Sequence, residues 1–459
     1  MDQTPTAVEA ANRPTGMFGF TIIWIGQLVS MFGTAMTNFA LTIWAWQITG
    51  QATTLALVGF FAFAPALLIT PFAGALVDRW SRKFVMMLSD LAAVLSTVAV
   101  LTLYSTGNLQ IWHLYATGAF AGTFGAFQFP AYSAAVTTMV SKKQYGRASG
   151  MLSSAQFASG IFAPSMAAVF LITIGIAGIL TIDVLTFLVA ICALLVVHVP
   201  QPAITTEGQK SKGSIWTESV YGFRYISRRT SLLGLLLIFL CINLLAPFAF
   251  TLLAPMILSR TANDATVLGM VQSTIGVSGM VGSIVLSVWG GPKRRIHGIL
   301  LGLFLTTMGI LFLGLGQTTI FWMIAAFFGI FFIPIINGSS QAIWQSKVAP
   351  DVQGRVFAAR SMIAQIGAPV AMLLAGPLAD NIFGPAMMPG GSLADLFGWL
   401  VGIGPGAGIS LMFVFAGSLG MLVALGGYAI PVVRNVEDIL PDHTPDSEPS
   451  DRETVLNGS

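Results

Sequence analysis

Long apolar runs, almost free of charge, recur along this chain and leave it few structures to adopt. One crossing of a hydrocarbon layer takes about 20 such residues, and a backbone inside that layer must satisfy its own hydrogen bonds, which favours helices. Twelve runs of that length follow one another, at 18–47, 52–76, 83–105, 111–139, 147–173, 178–199, 231–258, 266–290, 296–316, 319–343, 355–379 and 407–432. Only 8% of the 459 residues are charged, against about a quarter in soluble domains. The expected fold is an all-α polytopic membrane protein with twelve transmembrane helices.

The formal charge of +3 does not point to nucleic acid, because the basic residues sit in short loops between the runs. They report topology. With the N-terminus inside, every one of the 21 Lys and Arg except Arg260 falls on the cytoplasmic side. That places both termini in the cytoplasm and the chain in the cell (inner or plasma) membrane. The expected layout is a cytoplasmic tail at 1–16, a six-helix bundle at 17–199, a cytoplasmic loop at 200–230, a second bundle at 231–432 and a disordered acidic tail at 433–459. Within the loop, Ser214–Arg229 has helical apolar spacing and reads as a surface helix. The loop at 380–406 is external and rich in Gly and Pro, and its sequence suggests no function.

The halves repeat at a shift of 208 residues, which lays Gly74-Ala-Leu-Val on Gly282-Ser-Ile-Val and Gly146-Arg147 on Gly354-Arg355. Two related bundles can rock around a midplane site. Between the second and third runs stands Gly74-Ala-Leu-Val-Asp78-Arg79-Trp-Ser-Arg82-Lys83. If the helix continues through Asp78, Gly74 lies one turn below it on the same face and lets a neighbouring helix approach. The stretch resembles the loop 2/3 signature of the major facilitator superfamily, with Val77 and Ser81 where that family prefers Ala and Gly. The resemblance implies that Gly74, Asp78, Arg79, Arg82 and Lys83 form a cytoplasmic gate with the start of helix eleven, Gly354 and Arg355.

Ser159, Ala163, Pro164, Ala167 and Ala168 on helix five match the family's exporter pattern with each Gly replaced by another small residue. Close helix approach and a bend at Pro164 survive that replacement. Helix four lacks the Arg of many proton-coupled members, which leaves the usual proton relay open. Overall, residues 18–432 resemble the subfamily of drug, macrolide and siderophore exporters. That resemblance implies exchange of protons for a small amphipathic organic substrate across the bilayer; the oligomeric state stays open, with a monomer as the default.

Acids inside apolar runs are costly, about 2.5–3.5 kcal/mol on insertion scales, so Asp183 and Asp90 are the candidates for proton coupling. The alternatives are an acid held by its helix N-terminus for Asp183 and a packing hydrogen bond for Asp90. Neither helix normally lines the central cavity in this superfamily. The family's central helices one, four, seven and ten carry Gln27, Asn38, Gln128, Tyr132, Asn243, Asn337, Gln341 and Trp344 here. Amides, an indole and a phenol among Phe, Met and Leu suit a bulky, weakly polar solute. No metal or cofactor is expected, because His113, His198, His297 and His443 are scattered, and there is no Walker A loop. The chain therefore reads as a transporter and not an enzyme. Rival readings are an importer or uniporter of the same fold, or a non-transporting membrane sensor or scaffold.

Overall fold

The computed structural model describes residues 14–141, 144–200, 224–348 and 353–439, without the side chains of 71, 72, 74–79, 137, 146, 353–355 and 358. The described part is helical throughout. The first half contains α1 (Gly16–Thr49), α2 (Ala52–Arg79), α3 (Arg82–Ser105), α4 (Ile111–Met139), α5 (Tyr145–Thr173) and α6 (Gly175–Val196). The second half contains α7 (Thr230–Arg260), α8 (Ala265–Trp289), α9 (Arg295–Leu315), α10 (Thr319–Lys347), α11 (Gln353–Gln365 continued by Gly367–Leu378) and α12 (Ala407–Ala429). Among the described residues, eleven helices are long and apolar enough to span a bilayer. The remaining run, α4, is 29 residues long but diluted by His113, Gln128 and several Gly, Ala and Thr, and it packs beside α2 and α3.

Each half packs on itself, α1 against α5 and α6 in the first and α9 against α10 and α12 in the second. Small residues permit the closest approaches. A Cβ on Gly33 would lie 2.2 Å from Thr186 Oγ1 and 2.7 Å from Asp183 Oδ1, so only Gly lets α6 come this near α1. Gly282, the repeat partner of Gly74, does the same for α8 and α10, where a Cβ would stand 2.2 Å from the Phe331 carbonyl oxygen.

The halves meet along α5–α8 and α2–α11, two pairs that exchange under the six-helix repeat. The hydrogen bonds described between them lie toward the end carrying the α1–α2 turn. Trp46 Nε1 donates to Asn263 Oδ1 at 2.7 Å. Asn263 belongs to the α7–α8 turn, where Ala262 and Asn263 both take positive φ, at 52° and 69°. Asp380, in a π-helical turn after α11, accepts from the backbone of Ala52 and Thr53 and from Thr53 Oγ1, at 3.0, 2.8 and 2.6 Å. Ser165 and Ser273 hydroxyls pair at 2.7 Å between α5 and α8.

At the opposite end the basic residues close helices. Lys83 Nζ donates to the carbonyls of Leu195 and Val197 at the end of α6, at 3.1 and 2.8 Å. Arg82 Nη1 donates to the Ala134 carbonyl on α4 at 2.8 Å. The expectation of disorder from residue 433 onward does not hold for 433–439. Residues 431–439 form two short helices, and Val433 and Val436 are fully buried against the second half. Glu437 accepts from the backbone of Arg295 and Ile296 at the start of α9, at 3.1 and 2.9 Å. The remaining tail, 440–459, and most of the expected surface helix lie outside the described residues. The end of that helix, residues 224–227, is helical, with Ile226 buried in the second-half core. Arg260, the lone basic residue expected outside, donates to the Val401 carbonyl that ends a short helix, Ala394–Val401, in the loop after α11.

Candidate functional site

Among the described cavities, two hold expected site residues, one reaching across the seam between the halves and one within the second half. The first, about 500 Å³, lies mainly in the first half and reaches α7, α8 and α11. Asn38 and Asp183 line it together with Leu41, Val58, Phe250 and Met372. The apolar wall with a few polar groups falls in the size range of small-molecule sites.

Asp183 is almost wholly buried and stands eight residues into α6, too deep for the helix N-terminus to hold it. Its carboxylate instead accepts from Thr97 Oγ1 on α3 at 3.0 Å and from Thr34 Oγ1 on α1 at 3.4 Å. Thr37, a turn further along α1, lines the same cavity and buries its hydroxyl beside the same carboxyl group. Hydroxyls both donate and accept, so this pocket offers partners to either protonation state of the acid. The superfamily expectation that α6 stands away from the cavity does not hold at Asp183.

Asp90 sits elsewhere, in a polar network nearer the end where α1 begins. Gln27 Nε2 donates to Asp90 Oδ2 at 2.9 Å, and Gln128 Nε2 donates to Asp90 Oδ1 and to Gln27 Oε1, both at 3.0 Å. The triad ties α1, α3 and α4 together. Gln128 Oε1 and the nearby Tyr132 hydroxyl are buried without partners. Gln27 and Gln128, expected on the solute path, thus serve Asp90, and Tyr132 packs against Phe20.

The second cavity, about 390 Å³, lies in the second half between α7, α10 and α11. Four of the expected residues converge on it: Asn243, Asn337, Gln341 and Trp344. A fifth, Arg360, was missed by sequence reasoning, which grouped it with Lys347 and Arg355 as a topology signal. It lies two turns into α11, beside a one-residue break in the helix at Ile366. Trp344 is fully buried behind it, with the guanidinium carbon 5.2 Å from its ring centre.

The helix-five residues lie where the halves touch. Ser159 Oγ donates to the Met31 carbonyl on α1 at 3.2 Å, and Ala163, Ala167 and Ala168 are buried. A Cβ on Gly269 of α8 would meet the Pro164 carbonyl oxygen at 3.0 Å, and one on Gly276 would meet Gly160 backbone at 2.7 Å. Of the expected gate, Arg82 and Lys83 are the described caps above. The side chains of Asp78, Arg79 and Arg355, and the surroundings of Gly74 and Gly354, lie outside the described residues.

Comparison with known proteins agrees with this architecture. The model of the family described as Major Facilitator Superfamily matches residues 23–372. Macrolide efflux protein A of Streptococcus pyogenes is 27% identical over 369 residues, covering 79% of this chain and 90% of its own. The multidrug efflux pump Tap of Mycolicibacterium fortuitum is 26% identical, covering 78% and 88%. Among solved structures, a bacterial homolog of the human lysosomal transporter Spinster, inward-facing and unoccupied, superposes with a TM-score of 0.68. At 16% identity it covers 94% of this chain and all of its own length, and the likeness concerns the fold.

Proposed function

The chain belongs to the major facilitator superfamily, and on that premise we propose that it exports amphipathic organic molecules such as drugs, secondary metabolites or siderophores by proton antiport. The efflux pumps it resembles support the direction. The observation that carries the coupling is the position of Asp183 on the wall of the 500 Å³ cavity, where an acid with switchable hydroxyl partners shares space with a solute. The basic residues put the α1–α2 end outside. In that orientation the Asp380 and Trp46 contacts shut the external side, and solute enters from the cytoplasm. Asp78 and the start of α11 then form the opposing gate.

Inverted membrane vesicles test this reading. Acidifying their lumen should drive uptake of a lipophilic solute, and an uncoupler should abolish it. Equal uptake in vesicles lacking the protein, across a broad panel of solutes, would reject export.

A further inference from the structure

The geometry points to Arg360 as the anchor of an anion subsite: the second-half cavity takes the carboxylate or sulfonate of an amphipathic organic anion. This deepens the export reading and rests on it for the claim that the anion is cargo. Arg360 lies within a membrane helix, yet none of its partners among the described residues is an acid. Nη1 donates to Gln341 Oε1 at 3.2 Å and Nη2 to Ser340 Oγ at 2.9 Å, and the third contact is the Trp344 ring. Described residues use two of the five N–H bonds of the fork, and the other three can serve a ligand.

A guanidinium keeps its charge under all ordinary conditions, so it cannot escape burial by losing a proton. Charges kept in membrane helices mark ligand paths or pair with an opposite charge. Among the described residues no opposite charge pairs with it. The neutral partners instead fix the plane of the fork, and a planar fork suits bidentate recognition of a carboxylate. Leu236, Phe239 and Phe357 supply an apolar wall in the same cavity for the body of the solute. Asn337, Ser361 and Gln365 are exposed here although they sit inside helices of the bilayer region. Polar groups so placed face water and not lipid, which gives the anion its approach.

Pyrenebutyrate and its neutral amide, matched in shape, test the site by equilibrium binding to the purified protein in nanodiscs. The wild type should prefer the anion by about ten- to a hundredfold, as a charge-assisted hydrogen bond implies. Arg360→Gln should bring the ratio of the two affinities near one, and Arg360→Lys should keep part of it. A wild-type ratio near one overturns the proposal whether or not the variants fold, and so does a preference that survives Arg360→Gln. Nanodiscs with phosphatidylglycerol should leave the ratio unchanged. Loss of the preference there would assign the site to a lipid headgroup and overturn its role for cargo. The ratio is read without any gradient, so it is separable from export. Energised uptake of the neutral amide with no anion preference would defeat the subsite alone. Anion preference with no energised uptake of any probe would defeat export, and with it the claim that the anion is cargo.

Discussion

Asp183 is held by threonines from two other helices and faces the 500 Å³ cavity. Asn at this position keeps the shape and a hydrogen-bonding oxygen but cannot release a proton. Asp183→Asn should therefore fold with a stability change near 1 kcal/mol. It should also lose gradient-driven transport while still exchanging solute down its gradient. Counterflow and pH-jump uptake in proteoliposomes measure the two separately. Asp90→Asn should have the smaller effect on coupling, because its carboxylate is enclosed by Gln27 and Gln128 away from both cavities. Normal uphill transport in Asp183→Asn with loss in Asp90→Asn would exchange their roles. The acids were legible in the sequence because a carboxyl inside an apolar run stands out. The partners of Asp183 were not, since Thr34 and Thr97 look like ordinary helix-face residues until three helices converge. Arg360 was hidden for another reason. Basic residues near helix ends usually mark topology, and only the path of α11 carries this one into a cavity.

The helices themselves were readable from run length, to within a few residues, because the bilayer enforces both length and apolarity. Interruptions inside them were not. The π-helical turn at Ala379–Phe383 has no local composition that sets it apart, whereas the break at Phe332 in α10 is marked only by Pro334, one of many Pro in these helices. The segment at 431–439 was misread because Glu437 and Asp438 suggest a solvated tail. Its apolar stripe, Val433 and Val436, is only one turn long and gains meaning from the groove it fills. Glu437 there satisfies two of the backbone donors that begin α9. Replacing it with Gln keeps hydrogen-bonding capacity but removes the favourable charge at a helix start, and Glu437→Ala removes both. Capping losses of this kind cost about 0.5–2 kcal/mol. Thermal unfolding in detergent should rank wild type above Glu437→Gln and Glu437→Ala lowest. Equal midpoints for all three would mean that the segment rests on its valines alone.

Across the whole molecule, an acid stands at each end of the α2–α11 pair. Asp380, after α11, meets the start of α2, while Asp78, at the end of α2, faces the start of α11 in the family resemblance. In the proposed cycle these two acids close opposite sides, so removing each charge should shift the balance in opposite directions. A carboxylate at a helix start contributes about 0.3–2 kcal/mol, enough to move a near-balanced equilibrium severalfold. Asp380→Asn should populate outward-open molecules and Asp78→Asn inward-open ones. Accessibility of single cysteines to an impermeant thiol reagent, placed on either side, reads both shifts. A shift of the same sign in both variants would contradict the pairing.

Arg360 also bears on the electrical work of the cycle. If a monovalent anion leaves while one proton enters, each turnover carries two positive charges inward. The resting potential contributes about 2.3 kcal/mol per charge for every 100 mV, so a cell at that voltage gains about 4.6 kcal/mol per anion before any pH difference is counted. Transport in proteoliposomes clamped with valinomycin and potassium should then steepen with an interior-negative voltage in the physiological orientation. With a neutral solute the same voltage should act on the proton alone, at half the slope. Expulsion of anions would therefore persist in surroundings as alkaline as the cytoplasm, where a carrier driven only by the pH difference would stall.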